Sequence, residues 1–485
     1  MKIKIARAMP FEGAPKINIA SIIGASAGKP ILFRVPVTGQ RPIEYSATDL
    51  PNGLILKDNI VSGFVECDGN YEFVLCAKNA LGECQKKITL EIKDQNVLVT
   101  PLLGYTTWNA FASGVKQSDV EGIAKRMVEL GITEYGYGYV NTDSGWQGEY
   151  GGEFDAVMPN KKFPDMKGMT DKIHALGLKC GIYSTPMLTA WGCPDEYESI
   201  PGCTQGKADY RFADTNGGIG VIHKEKNNAR QWEAWGFDYL KYDWAPTDPV
   251  NAELMRQELI KLNRDFGFCV TVRAIKEYWG YWSRFCNSYR SNSDTYCNWE
   301  NLKEVYNSYF DFMEHVCKGH YFDLDMLDFG TCRLDTLSNT LTDDEKVIEY
   351  SARAFLNSPI QISSTLENAE GFEMDVYCNE EIIAINQDCA FNTALPILRV
   401  KEGNRQLDVF EKQLENGDYA YAIFNLGEVD EEIRFITGDC TVRDVWAKEC
   451  LISSGEKCES IYIMPAPHTV RIIRTSKRIT VCKGE

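Results

Sequence analysis

A lysine and an aspartate stand on either side of a tyrosine at the end of one short apolar run. Lys241 lies in the short run of residues 237–242, and Asp243 follows that run directly, just before a proline-containing turn. A helix-like run at residues 225–235 precedes it, so the pattern predicts a buried parallel strand that follows a helix. Because side chains alternate along a strand, Lys241 and Asp243 point to the same face. They form either a surface ion pair that ends the strand or part of a site at the strand's C-terminal end.

Carboxylates, aromatic side chains and one arginine also follow the other predicted strands. These candidate groups are Trp108, Asp143, Tyr183, Arg290, Asp294, Asp323 and Asp325. Glycoside hydrolysis needs such a set, because one carboxylate attacks the anomeric carbon, a second protonates the leaving oxygen and aromatic rings stack on sugars. Each aspartate by itself is better explained by a helix cap or a surface charge. Their shared position at strand C-termini favours a glycosidase.

Strand-like and helix-like runs alternate through the middle of the chain. One predicted helix covers residues 118–130 and begins with a capping box formed by Ser118 and Glu121. The second strand is predicted at residues 135–141 and the third at residues 179–183. Eight such units over about 290 residues favour a closed (β/α)8 TIM barrel over an open doubly wound sheet, so the fold class is α/β. The connection at residues 185–224 is longer than usual, which is typical of a functional loop.

Alternating strand patterns flank the predicted barrel on both sides. Residues 1–98 contain short alternating runs separated by Gly, Pro, Asn and Asp, which predict an N-terminal β-sandwich. Residues 391–485 contain further alternating runs and predict a C-terminal antiparallel β-sandwich. The catalytic barrel then takes residues 99–390. We interpret the N-terminal domain as a structural spacer rather than a binding module.

The composition excludes several classes of partner. The 485 residues carry a net charge of −18 without a Lys/Arg block, so neither nucleic acid nor an anionic membrane is expected as a partner. No apolar run reaches the ~20 residues that span a bilayer, and the first ten residues lack the apolar core of a signal peptide. The 17 cysteines contain no Cys-x-x-Cys pair, which favours reduced thiols and a cytoplasmic location. Secretion is the alternative location if the N-terminus is processed.

The histidines give no sign of a metal centre. All five lack metal-ligand spacing, so we expect neither a metal nor another cofactor. The expected partner is an oligosaccharide or glycoconjugate substrate. The sequence does not predict the oligomeric state.

The order of these motifs resembles glycoside hydrolase family 27, the family of α-galactosidases and α-N-acetylgalactosaminidases. The resemblance covers residues 100–474. It rests on the phrases Thr100-Pro-Leu-Leu-Gly-Tyr-Thr-Thr-Trp-Asn109, Tyr139-Val-Asn-Thr-Asp143, Gly177-Leu-Lys-Cys-Gly-Ile-Tyr183, Trp235-Gly-Phe-Asp-Tyr-Leu-Lys-Tyr-Asp243 and Ala384-Ile-Asn-Gln-Asp388. In addition, the phrase Asp49-Leu-Pro-Asn-Gly-Leu-Ile-Leu56 resembles immunoglobulin-like modules of bacterial enzymes.

The family resemblance implies a retaining mechanism through a covalent glycosyl-enzyme. Asp243 matches the nucleophile and Asp294 matches the acid/base. The positions that match the sugar-holding subsite are Trp108, Asp143, Tyr183, Lys241, Arg290 and Asp325, and Leu324 stands where the family phrase Asp-Pro-Asp-Met has proline. In this chemistry Asp243 must be ionised, which the charge of Lys241 favours. Asp294 must begin protonated.

Three departures from the family pattern leave the sugar open. One is the end of the fifth strand, residues 270–273, which lacks the phrase that in relatives selects between a 2-hydroxyl and a 2-acetamido group. Most members have two adjacent aspartates after the second strand, and here the second is Ser144. Trp244 follows the nucleophile, where a small or polar residue is usual, so we predict that its bulk reshapes the pocket. The competing explanation is that a carboxylate from the loop at residues 185–224 replaces the aspartate that is missing at position 144.

The alternative sugars are a β-L-arabinopyranoside, an α-N-acetylgalactosaminide and an α-glucoside. A carbohydrate-binding protein on an inactive barrel is the alternative from a different class. The presence of both candidate catalytic carboxylates, Asp243 and Asp294, counts against it.

Overall fold

The computed structural model describes residues 2–186, 208–209, 219–220, 223–244, 247–271, 276–290, 294–329, 340–367 and 369–483. A central eight-stranded parallel sheet is flanked by a β-sandwich on its N-terminal side and by another on its C-terminal side. The predicted fold class, an α/β barrel between two β-rich domains, is confirmed. The exact domain limits stay predictions.

The eight parallel strands follow one another around the barrel in chain order. They are Leu103–Thr106, Tyr139–Thr142, Lys179–Ser184, Tyr239–Asp243, Gly267–Thr271, Ser288–Tyr289, Tyr321–Phe322 and Ile360–Ile362. The eighth strand pairs with the first. Just beyond the seventh strand, Leu327 forms a parallel bridge with Ile362, which closes the ring. We refer to these strands by their order, first to eighth.

Amphipathic helices connect the strands and cover the outside of the barrel. The α-helices of this region are Trp108–Phe111, Gln117–Leu130, Met166–His174, Glu225–Trp235, Pro249–Leu259, Trp279–Phe285, Trp299–Phe312, Asp343–Phe355, Phe372–Tyr377 and Glu380–Asn386. Their buried faces join the strands in one large apolar core. Short 3₁₀ turns lie at Ala112–Gly114, Ile132–Tyr135, Lys276–Tyr278 and Met313–His315, and two β-strands, Gln147–Gly151 and Ala156–Pro159, form a hairpin after the second strand.

The predicted capping box of the first long helix is wrong. The helix begins at Gln117, so Ser118 and Glu121 are its second and fifth residues rather than the cap and the third helical position. The backbone N–H of Lys116, the N-cap residue, donates to the Asp119 carboxylate at 3.0 Å. Asp119 therefore provides the acidic half of the cap, because it occupies the third helical position.

Two barrel strands begin later than predicted. Residues 132–135 form a 3₁₀ turn, and Gly136 then adopts a left-handed conformation with φ of 104°, so the second strand begins only at Tyr139. The fourth strand begins at Tyr239 and extends to Asp243. Asp238 lies just before it, where its carboxylate accepts a hydrogen bond from the Cys180 backbone N–H at 3.0 Å.

Each flanking domain consists of antiparallel sheets around its own apolar core. The N-terminal strands are Lys16–Ile17, Ile22–Ala25, Ile31–Arg34, Val37–Thr38, Glu44–Thr48, Leu54–Lys57, Ile60–Gly63, Gly69–Asn79 and Gly82–Ile92, of which Ile22–Ala25 pairs in parallel. The C-terminal strands are Leu395–Glu402, Arg405–Gln413, Tyr419–Asn425, Ile433–Ile436, Val442–Asp444, Glu449–Ile452, Ser460–Ile463, Thr469–Thr475 and Thr480–Lys483. The remaining described strands, Ala208–Asp209 and Ile219–Gly220, pair with each other.

The cysteines and helices of the described residues bear on the predicted location. The 14 cysteines in this part of the chain all carry free thiols. None of its helices is both long and apolar enough to cross a bilayer. The cytoplasmic location stays a prediction.

Candidate active site

The strand register brings the candidate residues to one end of the barrel. Tyr183 of the third strand pairs with Lys241 of the fourth, and Asp243 pairs with Thr271 of the fifth. Because all strands are parallel, their C-terminal ends form a single rim. This geometry places the side chains of these four residues within one small region.

Asp143 and Lys241 form a nearly buried ion pair on this rim. The Lys241 Nζ lies 2.7 Å from Asp143 Oδ2, and the two side chains are 15% and 2% exposed. The Lys241 ammonium also lies 5.6 Å from the centre of the Tyr183 ring. Burial disfavours the ammonium, but the carboxylates of Asp143 and Asp243 outweigh burial and raise the pKa of Lys241. The lysine therefore stays a cation and a hydrogen-bond donor at neutral pH.

Asp243 is buried at the end of the fourth strand. Its Oδ1 accepts a hydrogen bond from the Thr271 hydroxyl at 2.6 Å. Burial, with a smaller contribution from Asp294, raises the pKa of Asp243 above the usual aspartate value, although Lys241, Arg290 and Thr271 act in the opposite direction. From the charge of Lys241 alone, we predicted that the ionised form of Asp243 is favoured. That prediction left out the cost of burying a carboxylate.

Arg290 links two further carboxylates at the end of the sixth strand. One terminal nitrogen donates to Asp294 Oδ1 at 2.8 Å, and the other forms an ion pair with Asp325. The Arg290 side chain is only 3% exposed, whereas that of Asp294 is 55% exposed. Asp325 also accepts the Thr295 backbone N–H at 2.8 Å. Burial of Asp325 acts to raise the pKa of its carboxyl, but the positive charges of Arg290 and Lys241 outweigh burial and lower that pKa.

The rim is rich in negative charge. Four carboxylates, Asp143, Asp243, Asp294 and Asp325, interact with two cations, Lys241 and Arg290. Such an excess of carboxylates stabilises positive charge, and glycoside hydrolysis passes through an oxocarbenium-like transition state. Within the described residues, no group of three or more His, Cys, Asp and Glu could hold a metal ion.

Comparison with known proteins agrees with this arrangement. The melibiase model described as alpha galactosidase A matches residues 100–213 and 207–388. The chain belongs to this family. A second model, the alpha galactosidase C-terminal beta sandwich domain, matches residues 404–475. The protein is therefore an α-galactosidase-like glycosidase, and the family predicted from its motifs is confirmed.

Individual relatives extend the comparison to the whole chain. "Alpha-galactosidase A" of Cellvibrio japonicus (strain Ueda107) is 28% identical over 360 residues, which cover 71% of this chain and 80% of that protein. The structure of a candidate alpha-galactosidase from Bacteroides fragilis NCTC 9343 superposes with a TM-score of 0.84 at 26% identity, covering 97% of this chain and 100% of that one. A β-L-arabinopyranosidase of Geobacillus stearothermophilus superposes with a TM-score of 0.66 at 21% identity, covering 78% and 97%, and shows the fold.

The remaining predicted sugar contacts lie at or near the rim. Tyr183 is fully buried, and burial followed by the charges of Asp243 and Asp143 raises the pKa of its hydroxyl. The half-buried Trp108 begins the short helix after the first strand. Ser144 is buried beside Asp143: its backbone N–H donates to Asp143 Oδ1 at 2.8 Å, and its hydroxyl accepts from Gln147 at 3.4 Å. The assignment of all these residues to sugar binding stays a prediction.

Trp244 does not join this cluster. Its indole N–H donates to Asp248 at 2.9 Å, and its ring packs edge-to-face on Tyr242 with 5.1 Å between centres. Asp248 caps the following helix, Pro249–Leu259, so the indole lies in the layer between strands and helices. Alternation thus directs the Trp244 side chain away from the face of Asp243, and an effect of its bulk on the pocket stays a prediction.

Thr271 is a site residue that the sequence analysis did not single out. It ends an apolar strand, Gly267–Thr271, in which all five residues are buried. A hydroxyl at the end of such a strand is the one signal that could have revealed it. Its position opposite Asp243 depends on strand register, which the sequence does not show.

We expect Thr271→Val to move the acid limb of the kcat/KM profile to higher pH. Removing the hydroxyl takes away a hydrogen bond that favours the ionised form of Asp243, so the pKa of this carboxyl rises further. If Asp243 is the predicted nucleophile, protonation below that pKa removes the attacking form, so activity is lost at a higher pH than in the original protein. Thr271→Ser retains the hydroxyl and serves as the control. Superimposable acid limbs for the Val and Ser variants would contradict this role.

Proposed function

We propose that this protein is a retaining exo-glycosidase that removes a terminal α-galactose-like sugar through a covalent glycosyl-enzyme. Asp243 is the nucleophile and Asp294 is the acid/base. The observation that carries the proposal is that Arg290 binds Asp294 directly, while its positive charge also lowers the pKa of Asp243, so one buried guanidinium acts on both carboxyls. Membership in the family of the α-galactosidase relatives supports the same assignment.

The different exposure of the two carboxyls suits their proposed roles. Asp243 is 7% exposed, so its carboxylate is poorly hydrated and available to the anomeric carbon of a bound sugar. The Asp294 side chain is 55% exposed. A proton donor must reach the leaving group in the first step and a water molecule in the second, and both approach from the solvent side.

Asp143 and Lys241 are the proposed grip on the sugar hydroxyls. Asp143 accepts from Lys241 at 2.7 Å and has a second oxygen turned to the Ser144 backbone. A carboxylate beside an ammonium offers a hydroxyl both an acceptor and a donor, and hydrogen bonds to charged groups contribute about 1.5–3 kcal/mol each. Tyr183 and Trp108 would line the same subsite.

A different sugar on the same machinery is the second candidate, and Ser144 is the observation that favours it. A serine hydroxyl is neutral and shorter than a carboxylate, so it replaces only part of the hydrogen bonding of a second aspartate. Pockets that lack such a partner discriminate less strongly between sugars that differ at the corresponding hydroxyl. A β-L-arabinopyranoside, which lacks the C6 group of galactose, is one such substrate; an α-N-acetylgalactosaminide and an α-glucoside are the others.

A panel of aryl glycosides tests the proposed reaction and the sugar together. The panel contains an α-D-galactoside, a β-L-arabinopyranoside, an α-D-glucoside and an α-N-acetylgalactosaminide, with the anomer of the released sugar followed by NMR. We expect the first-formed product to keep the anomeric configuration of the substrate, because two displacements occur. Initial formation of the inverted anomer would contradict the proposed mechanism.

The same panel measures the effect of Ser144. We expect the kcat/KM preference for the α-D-galactoside over the best competing sugar to lie below about 100-fold, or to be reversed. Ser144→Ala is the comparison variant. A galactoside preference above about 100-fold over all the others, unchanged in Ser144→Ala, would contradict a role for this position in sugar choice.

A further inference from the structure

The loop after the seventh strand presents Asp325 to Arg290. Asp325 adopts a left-handed backbone conformation with φ of 69°. Non-glycine residues rarely adopt this conformation, and it persists only where the surrounding structure holds it. The carboxylate of Asp325 binds both Arg290 and the Thr295 backbone. The loop at residues 324–326 therefore needs further contacts that hold its backbone in this conformation.

Arg353 donates to three consecutive carbonyl groups of the loop. Its Nε lies 2.8 Å from the Asp325 carbonyl oxygen, and its Nη2 lies 2.7 Å from that of Leu324 and 3.0 Å from that of Met326. The planar guanidinium is suited to such a set, because its donors have fixed directions. A lysine carries its three donors on a single nitrogen, so it does not reproduce the two separate donor positions, Nε and Nη2, that Arg353 uses here.

The helix Asp343–Phe355 fixes the guanidinium itself. Glu349 lies one turn before Arg353, and its Oε1 is 3.3 Å from Arg353 Nη2. The Glu349 backbone carbonyl also accepts from Arg353 Nη1 at 3.1 Å. Both side chains are almost fully buried, at 3% exposed for Arg353 and 2% for Glu349. Burial raises the pKa of Glu349 to about 7 although Arg353 acts in the opposite direction, so Glu349 gives the buried cation a full countercharge only above that pH. At neutral pH the hydrogen bond to the Glu349 backbone carbonyl also limits the movement of the guanidinium.

A second hydrogen bond to the loop supports the same conformation. The Leu324 backbone N–H donates to Ser358 Oγ at 2.9 Å. A proline at this position would have no N–H to donate and would restrict the backbone through its ring. In this chain, the hydrogen bond that Ser358 accepts from the loop and those that Arg353 donates to it take the place of that restriction.

We propose that Arg353, balanced by Glu349, is a positioning residue that holds the loop at Asp325 and thereby fixes Arg290 against Asp294. The chain of contacts runs from Arg353 to the Asp325 backbone, from the Asp325 carboxylate to Arg290, and from Arg290 to Asp294. Arg353 is separated from Asp294 by these two residues and does not act on the sugar. The inference rests on the proposed acid/base role of Asp294.

Arg353→Met tests this role through the dependence on the leaving group. The variant keeps an apolar chain but loses every hydrogen bond to the loop, so proton donation by Asp294 becomes misaligned. We expect kcat/KM for a methyl glycoside to fall about 10- to 100-fold more than for a dinitrophenyl glycoside, which needs little protonation. A lower folded fraction would reduce both values equally, so the ratio separates positioning from folding.

Two further variants keep the experiment decisive. Arg353→Lys retains the charge but not the three directed donors, and we expect an intermediate change in the ratio. Arg443→Met removes an arginine that pairs with Glu381 away from the rim, so the ratio should stay unchanged. An unchanged ratio in the Arg353 variants would overturn the inference. Failure of both to fold while Arg443→Met folds would also overturn it, in favour of a purely structural role.

The failure of this inference differs from a failure of the proposed function. Asp294→Ala is measured on the same two substrates. If Asp294→Ala leaves the ratio unchanged, the proposed acid/base is wrong, whatever Arg353 does. If Asp294→Ala changes the ratio and both Arg353 variants do not, only the positioning role is wrong.

Discussion

Replacing Asp243 by alanine is expected to abolish almost all hydrolysis while the protein stays folded. The proposed nucleophile forms a bond that no neighbouring group can form in its place, so we expect kcat to fall on the order of 10⁴-fold or more. Folding should survive, because the change removes a buried carboxylate whose ionisation is already disfavoured by burial. The kcat of the purified variant and its thermal unfolding temperature check both statements.

A control variant next to the same strand separates a loss of chemistry from a loss of folding stability. Asp238 immediately precedes the fourth strand at its opposite end, where His174 and Arg264 bind its carboxylate. Asp238→Asn should lower the unfolding temperature and leave most of kcat, since this aspartate is remote from the rim.

Covalent labelling identifies the nucleophile directly. A 2-fluoro glycoside destabilises the oxocarbenium-like transition state and lets the glycosyl-enzyme accumulate. We expect the label on a peptide that contains Asp243, and no label in Asp243→Ala. Labelling of another carboxylate in the original protein would show that the assignment is wrong.

The architecture was predictable because local signals and long-range order agree. The predicted helix at residues 225–235 has the observed limits, and Gly236, with φ of 93°, ends it in the left-handed conformation that glycine adopts easily. The second strand was predicted too early because residues 135–139 alternate tyrosine with glycine. Alternation in the sequence resembles a strand even where glycine turns the chain, as Gly136 does.

The rim could be predicted residue by residue where one rule applied to one strand. Alternation put Lys241 and Asp243 on one face, and the structure has both of them there. The same rule, applied one position further, would have directed Trp244 to the opposite face with Tyr242. The family pattern drew attention to the size of Trp244 instead, and size alone does not indicate direction.

Other parts of the site have no signature in the sequence. Thr271 faces Asp243 only through strand register, and Arg353 reaches the loop through its backbone carbonyls. Every residue, proline included, has a backbone carbonyl oxygen, so a hydrogen bond to that oxygen restricts no residue type at the acceptor. Burial of Asp243 likewise changes its pKa by an amount that depends on the whole surrounding fold.

The second large effect is expected from Asp294→Ala, and it should depend on the substrate. A methyl or disaccharide leaving group needs a proton as its bond breaks, so loss of the acid should cost about 10²- to 10⁴-fold in kcat/KM. A dinitrophenolate leaves without that proton, and for it kcat/KM should change little. Equal losses on the two substrates would contradict an acid/base role.

The deglycosylation step gives an independent test of Asp294. In the variant, water attacks the glycosyl-enzyme without a base, so turnover of the dinitrophenyl glycoside should stall after a burst. Azide carries its own negative charge and needs no base, so added azide should restore turnover and yield a glycosyl azide that retains the anomeric configuration of the substrate. Glu300→Ala is the control, because it removes a carboxylate six residues further on whose side chain is 82% exposed. Azide should have no effect on that variant, since its acid/base is intact and water already resolves the intermediate.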